Sequence, residues 1–215
     1  MHIVTNIGSA VESSMPLGSV LPDIPSEGLE GADGQLILHA MDIVYSGAPR
    51  IVIRSSDTGV LVLANSFFYE FHRKGLWVLF GNGRARRYVK AHDVASVLGE
   101  SKAVALRFFH CLTGCDTVSH FSTRGKRNAV SAWTKEDYES FFLLSHPISL
   151  PLSDDVLCGV EKFVIRMYGV KDQRIHVRHL ELSSTGHFLF QERFDKAHSS
   201  CRLPGWTGMR KSSRR

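Results

Sequence analysis

The sequence predicts an α/β fold, a Rossmann-like parallel sheet with flanking helices, followed by a helical C-terminal part. Residues 50–54 and 76–80 are apolar runs rich in β-branched and aromatic residues, the pattern of buried strands. Segments with apolar residues at helical spacing lie between and after these runs. Because strands that alternate with helices favour a parallel sheet, the first half indicates an α/β domain.

Local patterns predict the remaining elements. Residues 2–7 form a short strand within a lead-in over 1–29, whose Gly, Ser and Pro content from residue 7 onward is typical of irregular structure. A helix is expected at about 30–45, and Gly81-Asn82-Gly83 predicts a turn before a return strand. Further helical segments are expected at 60–68, 91–98, 103–112, 129–133, 138–144, 154–168 and 188–197. The predicted domains are the lead-in over 1–29, an α/β domain over 30–170, and a helical extension with a basic disordered tail over 171–215.

Composition limits the classes of function. The chain has 215 residues, of which 43% are hydrophobic and 22% charged, as in soluble globular proteins. It contains no apolar run long enough to span a bilayer and no secretory signal pattern, so we expect no membrane partner. Four cysteines in apolar or helical contexts are typical of reduced thiols, which favours an intracellular location, nuclear or cytoplasmic. A net charge of +5 favours polyanionic partners.

Three acidic motifs stand where predicted elements begin or end. Asp57 follows the first apolar run, where α/β sheets gather ligands, but it also suits the N-cap of the next helix. Asp116 follows a helix in Leu112-Thr113-Gly114-Cys115-Asp116. Glu30 and Asp33 open a helix, where the dipole favours acids, and their spacing places both on one face for metal binding. Capping and metal binding therefore both remain open.

A basic turn follows the third acidic motif. Arg124, Gly125, Lys126 and Arg127 precede a predicted helix, where backbone amides and cations suit a nucleic-acid phosphate. A solvated basic turn explains the same residues. A zinc site is disfavoured, because none of the usual paired ligand spacings is matched by the nearby side chains His110, Cys111, Cys115 and His120.

Taken in order, these residues resemble the flap-endonuclease, XPG-type branch of the PIN-like nucleases. The resemblance is strongest to a group of uncharacterised animal proteins, often associated with mobile elements. Its blocks Glu-Glu-Ala-Asp-Thr-Arg, Ser-Ser-Asp-Thr-Asp and Leu-Thr-Gly-Cys-Asp-Thr-Val-Ser are matched here by residues 30–35, 55–59 and 112–119. A family turn Gly-x-Gly-Lys is matched by residues 123–126, with Thr123 in place of the first glycine.

This resemblance implies a PIN-type sheet and a hydrolase that cleaves DNA or RNA with Mg²⁺ or Mn²⁺. It implies that Asp57 and Asp116 are catalytic, that the basic turn binds the nucleic-acid backbone, and that the metal ligands are Glu30, Asp33, Asp57 and Asp116. Gly31 and Gly59 stand where the family has acids, so we expect impaired cleavage. The alternatives are a non-catalytic nucleic-acid-binding or protein-interaction module derived from such a nuclease, or a chain without independent function.

Overall fold

The chain divides into two compact units, each with its own core. The first unit contains residues 1–103 and 203–205, and the second contains residues 104–202 and 206–215. The computed structural model describes residues 4–7, 10–13, 32–45, 47–71, 75–116, 118, 120–146, 153–169 and 194–197. The division falls inside the segment 30–170, for which the sequence predicts one domain.

The chain starts with a two-stranded antiparallel ribbon. Strand β1 (Val4–Ile7) pairs with β2 (Ala10–Ser13). The strand expected within residues 2–7 is confirmed. The prediction that residues 7–29 are irregular throughout is wrong for β2, because pairing with β1 extends a stretch whose own sequence carries only a weak strand signal.

The described core of the first unit is a three-stranded sheet with helices. In chain order its elements are α1 (Ala32–Tyr45), β3 (Arg50–Ser55), α2 (Thr58–Ser66), β4 (Gly75–Phe80), β5 (Arg87–Lys90) and α3 (Ala91–Leu98). Strands β3 and β4 are parallel, and β5 returns antiparallel beside β4. The predicted parallel pair and return strand are therefore present, and the fold is mixed α/β.

Only one face of this sheet is buried. Ile51 and Ile53 of β3 lie in the core beside their partners Leu76 and Val78 of β4. Val52, between the two isoleucines, is 56% exposed. The prediction of a buried strand at 50–54 is wrong in this respect, because Arg50, Val52 and Arg54 alternate with the two isoleucines and form a solvated face.

The described part of the second unit is helical. Helix α4 (Glu100–Leu112) spans the boundary between the units, and the second unit continues with α5 (Lys126–Ala132), α6 (Lys135–Leu144), α7 (Asp154–Met167) and a helical turn at 194–197. The predicted helices are confirmed, although α4, α5 and α6 begin earlier than expected because their first turns are polar. Residues 188–193 of the helix predicted at 188–197 lie outside the described residues. No helix in the described ranges is long and apolar enough to cross a bilayer.

Aromatic rings form the core of the second unit. Phe109 stacks on Trp133 with ring centroids 4.3 Å apart, and Phe141 meets both Phe108 and Phe163 edge-to-face at 5.1 Å. Offset-stacked and edge-to-face pairs add to the free energy that burial of these rings provides. This cluster joins α4, α6 and α7.

A buried carboxylate links α6 to α7. Asp137 is 2% exposed and accepts hydrogen bonds from the backbone N–H of Thr134 at 2.8 Å and from its hydroxyl at 3.1 Å. Its other oxygen is bonded to the guanidinium of Arg166 on α7. Asp137 therefore closes the capping box of α6 and neutralises a partly buried cation.

Replacing Asp137 by Ala is expected to destabilise the second unit by up to about 3–5 kcal/mol, because the change leaves the partly buried Arg166 without its carboxylate partner and removes the capping box of α6. Chemical denaturation followed by tryptophan fluorescence measures the change. Glu136→Ala, an exposed acid in the same helical turn, is the matched control and is expected to stay within about 0.5 kcal/mol of the parent. Equal effects of the two substitutions would contradict the assigned role of Asp137.

Candidate functional site

Asp57 lies at the carboxyl end of β3 and caps α2. Its Oδ1 accepts a hydrogen bond from the backbone N–H of Gly59 at 2.6 Å, and its own N–H donates to Oγ of Ser55 at 3.0 Å. The side chain is exposed. The capping interpretation of Asp57 is therefore confirmed, and the carboxylate stands at the strand end where α/β sheets gather ligands.

Asp33 of α1 approaches the same point. A Cβ atom at Gly59 would lie 2.9 Å from Oδ2 of Asp33 and 3.1 Å from Oδ1 of Asp57. The two carboxylate oxygens are therefore no farther apart than the sum of these distances. Helices α1 and α2 pack on each other and bring the two acids together. Two of the predicted site residues, Asp33 and Asp57, therefore place carboxylate oxygens next to the position that a side chain of residue 59 would occupy.

The donor set consists of the oxygen ligands that hard cations take in proteins. Two carboxylates completed by water are sufficient protein ligands for Mg²⁺, whereas a pair of ions needs more acids. Within the described residues no three His, Cys, Asp or Glu side chains are grouped to hold a metal ion. Of the other predicted ligands, Glu30 lies outside the described residues and Asp116 belongs to the second unit.

The block around Asp116 is a tight loop after α4. Gly114 has φ of 110°, and a Cβ atom there would lie 2.9 Å from the Cα of His120, so only glycine fits. Cys115 and Val118 exchange backbone hydrogen bonds of 2.8 and 3.2 Å. Asp116 is exposed within this loop. The glycine of the Gly-Cys-Asp block therefore has a structural role, and the loop presents the acid to solvent.

Lys126 is anchored to the end of α4. Its Nζ donates to the carbonyl of His110 at 2.9 Å and to the hydroxyl of Thr113 at 3.2 Å. Partial burial lowers the pKa of Lys126, and the nearby Cys115 and Cys111 act in the opposite direction. A cation on the last carbonyls of a helix is stabilising. Lys126 thus joins the basic turn to the Asp116 block, a role that sequence reasoning missed because it depends on tertiary packing.

The other members of the basic turn differ in exposure. Arg124 donates from Nη2 to the carbonyl of Tyr168 at 3.3 Å and lies over its ring at 5.5 Å. Gly125 precedes α5 as its N-cap, and Arg127 is exposed. Arg124 and Lys126 are therefore bonded to protein groups, although Lys126 is still exposed in part, and Arg127 is an exposed cation beside them.

Thr123 occupies a conformation that favours glycine. Its φ is 59°, and it is the one non-glycine residue with positive φ in the described ranges. A β-branched residue in the left-handed region is strained by roughly 1–2 kcal/mol. The backbone at Thr123 therefore has the conformation of a glycine turn.

Gly59→Ala is expected to depend on Asp33. In the parent chain the new methyl group meets the Asp33 carboxylate, so the usual helix gain of up to about 1 kcal/mol is lost or reversed. In an Asp33→Ala background the shorter of the two contacts is removed and only the 3.1 Å contact with Asp57 remains, so the same change is expected to be more favourable. Thermal unfolding of the four proteins gives the coupling energy, expected in the range of about 0.5–3 kcal/mol. Additive effects would contradict the convergence of Asp33 on Gly59.

Thr123→Gly is expected to stabilise the second unit by up to about 1 kcal/mol, because relief of the positive-φ strain outweighs the added freedom of the unfolded chain. Urea denaturation measures this difference. Ser122→Gly, at the adjacent exposed position without positive φ, serves as the control and is expected to destabilise. A Thr123→Gly protein no more stable than the parent would show that the turn is not strained.

Comparison with known proteins adds no family to these observations. No protein-family model matches the chain, and no curated protein or solved structure is significantly similar to it. The observations that bear on function are therefore the acidic blocks, the placement of Asp33 and Asp57, and the basic residues of the chain.

Proposed function

We propose that this chain is a divergent PIN-like, XPG-type nuclease domain that hydrolyses phosphodiesters of DNA or RNA with a weakened divalent-metal site. The observation that carries the proposal is the convergence of Asp33 and Asp57 over Gly59 at the carboxyl end of a parallel strand. The order of the acidic blocks and the glycine-like turn at Thr123 support it. An intracellular setting, nuclear or cytoplasmic, is part of the same proposal.

Asp33 and Asp57 are the residues that would hold Mg²⁺ or Mn²⁺. Such an ion supplies charge stabilisation for a phosphoryl oxygen and lowers the pKa of bound water. Asp57 is held in place by its bond to the Gly59 N–H, and the N-terminus of α2 provides partial positive charge beside both carboxylates. The loop that carries Asp116 and the exposed Arg127 provide an acid and a phosphate-binding cation in the second unit.

Gly59 limits the expected rate. In the resembling family an acid stands at this position, whereas here the side-chain space is occupied by the Asp33 and Asp57 carboxylates. Fewer carboxylates weaken the binding of a hard cation, so activity is expected to be low and to be greater with Mn²⁺ than with Mg²⁺.

The second candidate function is nucleic-acid binding without cleavage. It is favoured by the donor set, since the part of the chain that the structure describes has no cluster of three acidic, His or Cys metal ligands. The two functions predict different metal requirements, because cleavage needs the ion and binding through cations does not.

The nuclease proposal predicts that Mn²⁺-dependent cleavage falls by about tenfold to a hundredfold in Asp33→Asn and in Asp57→Asn. The substrates are labelled single-stranded, double-stranded and flapped DNA, and RNA. Asparagine also caps helices well, so Asp57→Asn removes charge while it keeps the capping oxygen. Asp116→Asn is expected to lose cleavage as well. Asp155→Asn, an exposed acid on α7, is the matched control.

Two results would overturn the nuclease proposal. Cleavage that persists in all three site variants would belong to another site or another protein. A folded parent chain that cleaves none of these substrates with Mn²⁺ would instead favour the second candidate. Far-UV circular dichroism and a cooperative melting transition establish that each variant is folded.

A further inference from the structure

The solvated face of the β3–β4–β5 sheet carries aromatic and basic side chains together. Register places Val52 opposite Trp77, and Trp77 opposite Lys90, while side chains two residues apart on a strand share a face. We name this surface the basic sheet face; its residues are Arg50, Val52, Arg54, Trp77, Tyr88 and Lys90. All of them belong to the first unit.

Two members of this face, Tyr88 and Val52, are exposed, and Trp77 is partly exposed. Tyr88 is 63% exposed and Val52 is 56% exposed. Trp77 and Tyr88 form a T-shaped pair with ring centroids 6.4 Å apart, and Nζ of Lys90 lies 5.3 Å from the centroid of the Trp77 ring. Rings that are accessible on a sheet and adjacent to cations form a platform on which nucleic-acid bases stack.

Gly75 leaves space between a cation and the indole ring. A Cβ atom at Gly75 would be 3.7 Å from Cγ of Arg50 and 3.7 Å from Nε1 of Trp77. Arg50 is the register partner of Gly75, so the aliphatic stem of Arg50 and the indole N–H of Trp77 both lie next to a position without a side chain. This arrangement places a hydrogen-bond donor and a cationic side chain beside the same glycine.

Charge on this face favours a polyanion. None of the residues of β3, β4 and β5 is acidic, and Arg50, Arg54 and Lys90 are exposed. The acid that approaches it is Asp93 of α3, 3.5 Å from Nζ of Lys90, and both side chains of this pair are more than half exposed. A pair this exposed is weak and leaves the lysine able to exchange partners.

We propose that the basic sheet face binds single-stranded nucleic acid, with bases on Tyr88 and Trp77 and phosphates on Arg50, Arg54 and Lys90. The inference rests on the proposed function, since it specifies the form of the substrate. A single strand is favoured because a duplex hides the base faces that the rings need. An acidic polypeptide would match the charges but would leave the two rings without stacking partners.

Fluorescence anisotropy of labelled oligothymidylate and oligouridylate, with the full chain in EDTA, tests this proposal. Tyr88→Ala is expected to weaken binding on the order of tenfold, whereas Tyr88→Phe retains the ring and restores binding. Arg54→Gln is expected to weaken binding and to reduce the slope of log affinity against log salt by about 0.7. Lys135→Gln, which removes an exposed cation from α6, is the matched control and is expected to have no effect.

Three outcomes would overturn the inference. They are no binding by the folded chain, equal binding of duplex and single strand, and an unchanged affinity in Tyr88→Ala with displacement by polyglutamate. The last would assign the face to acidic polypeptides. Because the binding assay excludes divalent metal, its result is independent of cleavage. If the chain binds single strands but shows no Mn²⁺-dependent cleavage, only the nuclease proposal is rejected. If the chain cleaves but Tyr88→Ala has no effect on binding, only the proposed role of the basic sheet face is rejected.

Discussion

Burial of a single face of the sheet determines the arrangement of the first unit. Ile51, Ile53, Leu76 and Val78 are all 6% exposed or less and form that face. Because side chains alternate along a strand, their burial forces the intervening residues of β3 and β4 to the opposite face. Parallel pairing of β3 with β4 also requires a crossover, and α2 begins that crossover directly after β3 ends. The position of Asp57 and the composition of the solvated face therefore have the same physical origin.

Local sequence patterns predict much of this arrangement. Apolar runs at 50–54 and 76–80 predict the two parallel strands, and the Gly-Asn-Gly turn predicts the return to β5, because short-range periodicity and turn chemistry determine these elements. The solvated face is marked by the alternation Arg50-Ile51-Val52-Ile53-Arg54. The β-branched residues alone do not indicate this solvated face, since three consecutive apolar residues also suit a strand that is buried on both faces.

The candidate site is only partly predictable because it depends on contacts between distant segments. The capping position of Asp57 follows from its neighbours, and the resemblance to PIN-like nucleases places Asp33 among the same group of acids. That the Asp33 carboxylate occupies the space above Gly59 depends on the packing of α1 against α2. The attachment of Lys126 to the end of α4 likewise depends on a tertiary contact across 16 residues. Sequence patterns do not determine such distances.

Helix capping and the helix dipole do not by themselves require the convergence of Asp33 and Asp57. Helix capping accounts for Asp57, and a favourable helix dipole accounts for an acid in the first turn of α1. Neither effect requires the two carboxylates to approach one another, and two ionised carboxylates at this separation repel each other. A bound divalent cation converts that repulsion into attraction for both groups. The proposed metal site would therefore account for an arrangement over Gly59 that neither helix requires by itself.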